Sequence, residues 1–247
     1  MAEALRKIDV LDLGPSAADA AALDRRFEGV SAPDLLATVL REGLAGRVAA
    51  VTSFGAESAV LLHMVAMADP ATPVLFVDTL KHFPETLAYR DDLVARLGLT
   101  NVISLQPDAA LLEKRDPTGL RWSYDPDECC AIRKTGPIDL ALAGYDSWIS
   151  GRKGFQAKTR AGLGRFEVAD GKLKINPLSD WTKDDLNGWF AHHGLPHHPL
   201  EAEGYLSIGC APCTSVVRPG EDPRAGRWRG FDKTECGIHK PGEEPAF

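Results

Sequence analysis

The chain has 247 residues, 44% of them hydrophobic, and a formal net charge of −7. This suits one globular domain with a core of ordinary size and no need of cross-links, and the acidic balance argues against a general nucleic-acid binder. The longest apolar stretch, Ala59 to Ala68, is broken by His63 and is too short to span a membrane, while MAEALRKIDVLDLG lacks the apolar core of a signal peptide, so a cytoplasmic location is expected.

Residues 1–46 are Ala-rich and read as an N-terminal helical segment. A regular alternation follows. Arg47 to Ser53 is a short apolar run ending in a turn at Phe54-Gly55, and Glu57 to Met67 has helical spacing. Pro73 to Asp78 reads as a second buried strand. Pro84 to Leu97 reads as a helix, with Pro84 suited to its first turn and Gly98 to its stop. Asn101 to Leu105 is a third strand, and Asp146 to Ser150 a fourth, after a helix through Lys134 to Ala143. Strands alternating with helices predict a mostly parallel sheet covered on both faces. Arg165 to Val168 and Lys172 to Ile175 flank Asp170-Gly171, a hairpin signal. Thr182 with Asp185 forms a capping-box pattern that opens a helix through Phe190. Residues 47–217 therefore read as the principal domain. Residues 218–247, rich in Pro, Gly and charge, read as a conditionally ordered tail. The pairs His192-His193 and His197-His198 read as surface or packing histidines. The oligomeric state, monomer or homo-oligomer, is left open.

The five cysteines carry the chemistry. Cys129-Cys130 and Cys210-Ala-Pro-Cys213 form two pairs about eighty residues apart. Four thiolates can hold a tetrahedral zinc ion or a four-iron cluster, and adjacent thiolates suit the bulkier cluster better than one small ion. Cys236 stands alone on the tail, in KTECGIHK, with Lys233, His239 and Lys240 as nearby cations. A thiol attacks as the thiolate, which neighbouring cations favour. A nucleophile on a tail can enter a site, react, and leave to meet another protein.

Two further stretches suit a nucleotide. Thr52 to Ser58 joins the first strand to its helix, where outward N–H groups favour an anion and Gly55 permits close approach. Val77-Asp78-Thr79 is the matching rim position of the second strand. Gly151 to Arg165 is a local basic loop carrying Arg152, Lys153, Lys158, Arg160 and Arg165, and Arg218, Arg224, Arg227 and Arg229 add cations on the tail.

Together TSFGAES, VDTLKHFPET, the CC and CAPC pairs and the terminal ECGIH closely resemble the assimilatory sulfonucleotide reductases, over about residues 47 to 240. The resemblance implies a Rossmann-like sheet of the adenine nucleotide α-hydrolase (PP-loop) type. It also implies a [4Fe-4S] cluster on Cys129, Cys130, Cys210 and Cys213. Cys236 matches the family's nucleophile, with His239 in the same motif. Lys134 matches a lysine between cluster and substrate, and Arg160, Arg224 and Arg227 match arginines that hold the phosphosulfate. Ser53, Phe54, Gly55, Asp78 and Thr79 fall in the nucleotide loops. The basic loop departs from the family's R-x-D-Q-S pattern, reading Lys153-Gly154-Phe155-Gln156-Ala157 here.

The cluster-bearing branch implies adenosine 5′-phosphosulfate (APS) as substrate. Reduction to sulfite and AMP would run through an S-sulfocysteine on Cys236, resolved by thioredoxin because no further cysteine is spare. The cluster is expected to act structurally and electrostatically. The alternatives are the same chemistry on the 3′-phosphorylated nucleotide and a non-catalytic iron–sulfur sensor that binds nucleotide. A PP-loop ATP pyrophosphatase is disfavoured because TSFGAES lacks the double glycine and the aspartate of the SGGxDS pattern.

Overall fold

The computed structural model describes residues 14–156, 162–233 and 235–238. The strands are β1 (Val48–Thr52), β2 (Val74–Val77), β3 (Val102–Leu105), β4 (Ser147–Ser150), β5 (Phe166–Ala169) and β6 (Lys172–Ile175). They form one sheet in the order β3-β2-β1-β4-β6-β5. All neighbours are parallel except the β5–β6 hairpin. The expected strands are all present: β1 to β4 are one or two residues shorter than the apolar runs suggested, β5 is shifted by one residue and β6 has the expected bounds. The hairpin turns through Asp170 (φ 51°) and Gly171 (φ 68°), both left-handed as a two-residue turn of this hand requires.

The helices are α1 (Ala17–Arg26), α2 (Ala32–Arg41), α3 (Ser58–Ala68), α4 (Pro84–Leu97), α5 (Ala109–Arg115), α6 (Pro126–Cys130), α7 (Gly136–Leu142) and α8 (Lys183–His193). Successive strand residues point to opposite faces. Ala50, Phe76 and Ile149 therefore bury against helices including α2 and α3, while Ala49, Leu75 and Trp148 bury against Ile138 and Leu142 of α7. The predicted capping box at Thr182–Asp185 is formed, and a second one opens α1 at Ser16–Asp19. The described part of the N-terminal segment, residues 14–46, packs on the sheet. Phe27, just after α1, meets Phe166 of β5 with ring centroids 5.5 Å apart, and Asp24 accepts the Phe166 N–H at 3.1 Å. The helix thus covers an edge strand that would otherwise stand open.

The helix expected from Lys134 starts earlier and is irregular. It opens as α6 and widens to a π turn at Ala131–Thr135 before continuing as α7. Pro137 has no N–H for the carbonyl one α turn back, and its ring would crowd that carbonyl; widening the coil removes both conflicts.

His198 fastens the segment after α8 to α4. Its Nδ1 accepts the Leu200 N–H at 3.2 Å and its Nε2 meets Thr86 Oγ1 at 3.0 Å. Burial lowers its pKa from 6.5 to about 4. Between those values the unfolded chain binds the extra proton, so stability should be level above about pH 6.5 and fall as the pH drops toward 4. His198→Asn, which keeps an acceptor and cannot titrate, should flatten that part of the slope. Thermal unfolding between about pH 7.5 and 5 checks this; identical slopes for the two proteins would contradict it.

Candidate active site

The sheet changes its direction of construction between β1 and β4, and a cleft opens at the carboxyl ends of those strands, as doubly wound sheets require. It widens into a cavity of about 490 Å³. Ser53, Gly55 and Ser58 line it from the β1 rim, and Ser150 and Gly151 from the β4 rim. The turn between β1 and α3 is held from below. Phe54, with φ 49°, donates its N–H to Thr52 Oγ1 at 3.1 Å and buries its ring edge-on against Phe76. A side chain at Gly55 would press on the Ile208 carbonyl, 3.1 Å from an ideal Cβ.

Lys134, Arg224, Arg227 and Cys236 also line this cavity. Residues 218–233, the first part of the stretch read as a conditionally ordered tail, lie against the body in this structure. Thr214 and Arg227 form an antiparallel bridge, the Trp228 N–H donates to the Cys213 carbonyl at 3.0 Å, and Trp228 is buried. Arg227 lies over the Trp228 ring at 4.3 Å, a stack possible only because position 209 is glycine: a Cβ there would stand 2.4 Å from the guanidinium. Nearer the end, Arg224 pairs with Glu235 at 3.2 Å and Lys233 pairs with Asp127. These contacts bring the half-buried Cys236 to the cavity.

A second, smaller pocket adjoins the first. Cys129, Cys130, Cys210 and Cys213 all line it, with Thr79 and Arg133, and Lys134, Arg227 and Trp228 face both pockets. The four thiols are unpaired. Burial pushes Cys129 up to about 12 and Cys213 up to about 11, reinforced by the neighbouring thiolates, and burial raises Cys130 as well. For Cys210 burial is outweighed, chiefly by Lys134 and by Thr79, whose Oγ1 lies 3.2 Å from the sulfur, so its pKa falls. Burial also opposes the charge on Lys134, but Cys210, Cys236 and Cys130 outweigh it and raise its pKa. Among the described residues no group of three or more His, Cys, Asp or Glu is arranged to hold a single metal ion. Four soft sulfur donors around a pocket with cationic walls fit an anionic multi-iron cluster better than one small ion.

Other expected site residues lie elsewhere. Phe54 is in the core. Asp78 is buried and holds its own loop, accepting the Leu80 N–H at 3.0 Å and Gln106 Nε2 at 2.9 Å. Thr79 faces the thiol pocket rather than the large cavity. Arg160 and His239 fall outside the described residues, as do Lys158 and Lys240. The basic loop was read as able to contact an anion; in the structure Arg152 pairs with Glu167 at 3.2 Å, Lys153 with Glu57 at 2.8 Å and Arg165 with Asp180 at 2.7 Å. Among the described residues these three charges are answered by carboxylates 15 or more positions away in sequence. Sequence reasoning also missed Glu57, Lys183 and the buried pair Asp116–Arg133. Glu57 could have been singled out, because an acid directly after an anion-binding turn is out of place there.

The Phosphoadenosine phosphosulfate reductase domain family model matches residues 47–216. A Mesorhizobium japonicum protein named adenosine 5′-phosphosulfate reductase is 50% identical over 228 residues, 92% of this chain and 90% of its own. A Gloeobacter violaceus protein named phosphoadenosine 5′-phosphosulfate reductase is 38% identical, covering 88% and 92%. The solved phosphoadenylyl-sulfate reductase of Candida auris superposes with a TM-score of 0.68 at 25% identity, covering 82% of this chain and 98% of its own. Its likeness confirms the PP-loop type of sheet. The chain belongs to the phosphoadenosine phosphosulfate reductase domain family.

Proposed function

We propose that this chain reduces APS to sulfite and AMP, the activity that the name of the Mesorhizobium relative gives. One observation carries the reading: the thiol of Cys236 shares a single cavity with the β1 rim loop and with Lys134, Arg224 and Arg227. The rim loop and the N-terminus of α3 would take the nucleotide. The Cys236 thiolate would attack the sulfate sulfur, forming an S–S bond while the bond from sulfur to the bridging oxygen breaks and AMP leaves with that electron pair. Lys134, Arg224 and Arg227 would stabilise the charge that grows on the phosphate. Arg160 and His239 remain assigned to this site by motif alone.

The S-sulfocysteine is then reduced. An external dithiol attacks Cys236 Sγ, sulfite departs with the S–S electron pair, and the second thiol of the donor resolves the mixed disulfide. Cys236 returns as a thiolate and the donor ends as a disulfide. With the four other cysteines committed to the cluster, none is spare to resolve the intermediate and the donor is another molecule; thioredoxin, in the cytoplasm, has the required chemistry. Cys129, Cys130, Cys210 and Cys213 would hold a [4Fe-4S] cluster, which when bound supplies fixed negative charge beside Lys134. Among the described residues no helix is long and apolar enough to cross a membrane.

Mixing the purified protein with APS and no reductant should add about 80 Da, one SO3 group, to the peptide carrying Cys236. In Lys134→Ala the same adduct should form roughly 100-fold or more slowly, with iron content retained, because one fixed cation at the leaving group is gone. Absence of the adduct in the parent protein would refute the proposal. The same chemistry on the 3′-phosphorylated nucleotide is the second reading, favoured by the name of the Gloeobacter relative; comparing turnover of the two nucleotides separates them.

A further inference from the structure

The large cavity contains a second cationic group, besides Lys134, Arg224 and Arg227. Lys153 and Lys183 both line it, and one carboxylate engages both. Glu57 accepts from Lys153 Nζ at 2.8 Å, from Gln156 Nε2 at 2.7 Å and from Lys183 Nζ at 3.0 Å. It stands at the N-cap of α3 but makes no capping bond to its own helix. Burial opposes its charge, yet the two ammonium groups outweigh burial and lower its pKa. The side chains are sheltered, Lys153 at 4% exposure and Glu57 at 15%. Two lysines converging in a cavity otherwise suited to phosphate make an anion site, and Glu57 fills it from within.

Position gives this network a role. The charges that act most on Lys134, at the reacting end, are Cys210, Cys236, Cys130 and Arg227, whereas Glu57 is bonded to Lys153, Gln156 and Lys183. With the sulfate sulfur at Cys236, the nucleoside extends toward the β1 rim, where Glu57 follows Gly55. A second phosphate on the nucleoside would meet a carboxylate and find Lys153 and Lys183 already engaged. A nucleotide without that phosphate would leave the network undisturbed.

We propose that Glu57, by occupying Lys153 and Lys183 inside the cavity, makes the site select adenosine 5′-nucleotides over their 3′-phosphorylated forms. The inference rests on the function proposed above and names the residue that sets its substrate class. Such selectivity is gained by repulsion of the wrong ligand as much as by contact with the right one.

The test is calorimetric binding of AMP and of adenosine 3′,5′-bisphosphate to the iron-loaded parent, Glu57→Gln and Lys183→Gln. The parent should prefer AMP. Glu57→Gln, of the same size and without charge, should shift the ratio of the two affinities toward the bisphosphate by roughly tenfold or more. Lys183→Gln, at a half-exposed site, should shift it the other way and decides the matter if Glu57→Gln does not fold. A parent that prefers the bisphosphate overturns the proposal, as do ratios unmoved within about twofold in the variants that fold. Forming the Cys236 adduct with APS in the same preparations keeps the two ideas apart. An adduct with an unmoved ratio sinks the role of Glu57 alone, whereas no adduct sinks the reductase reading while the ratio still reports on Glu57.

Discussion

Cys236→Ser is expected to bind AMP as the parent does and to release no sulfite from APS. The cavity that receives the nucleotide is lined by many groups besides this one, so binding should survive the change of one atom. Chemistry should not. A serine hydroxyl is a far weaker nucleophile than a thiolate, and no histidine or carboxylate among the described residues is bonded to position 236 to activate it. The second step is barred on stronger grounds. Sulfation of serine would give an ordinary sulfate ester, whose C–O–S linkage contains no sulfur–sulfur bond for a dithiol to cleave. Sulfite release should therefore fall by at least about 10⁴-fold, followed as sulfite and AMP with excess dithiol present. Sulfite production by the serine variant within about tenfold of the parent rate would remove the basis of the proposed mechanism.

Arg133→Met is expected to be strongly destabilising. Asp116 Oδ2 accepts from Arg133 Nε at 3.1 Å and from Nη2 at 2.7 Å, with the two side chains only 1% and 6% exposed. Arg133 Nη1 also donates to the Thr79 carbonyl at 3.1 Å, beside the Thr79–Cys210 contact. Burial opposes the charge on Asp116, but Arg133 outweighs it and holds the carboxyl below its ordinary range. Methionine would leave that carboxylate buried without its partner, a loss of about 3–5 kcal/mol, whereas the double variant Asp116→Asn/Arg133→Met should recover much of it. Denaturant unfolding of the parent, single and double variants measures this. A single variant within about 1 kcal/mol of the parent would mean the pair contributes nothing that solvent cannot replace.

The sheet was legible because its central strands are buried on both faces and appear in sequence as short apolar runs; PVLFVD gives β2 almost to the residue. The position of α1 was not legible, because Phe27 meets Phe166 across a long stretch of chain. The π turn was hidden too, although Pro137 in a helical run was its signal. In the site, the five cysteines were singled out by residue type and spacing, and Lys134, Arg224 and Arg227 by the family resemblance; all come to the two adjoining pockets. Loop residues were harder. Within one turn Ser53 and Gly55 face the cavity while Phe54 anchors the turn from beneath, a division set by backbone torsion rather than residue type. Charge was hardest. The cations at 152, 153 and 165 are matched by Glu167, Glu57 and Asp180, and such pairing belongs to the folded state alone. Composition also gave no sign of the contacts of the C-terminal stretch, where one backbone bridge and one buried tryptophan tie a Gly- and Pro-rich sequence to the body.

Lys134, Arg227 and Trp228 are a party wall with a face in each chamber. An engineer could not renovate one room and leave the other as it was. Any redesign of the sulfur-lined side must be solved together with the nucleotide side, and a graft of this activity onto another scaffold would have to carry both chambers and the partition as one block.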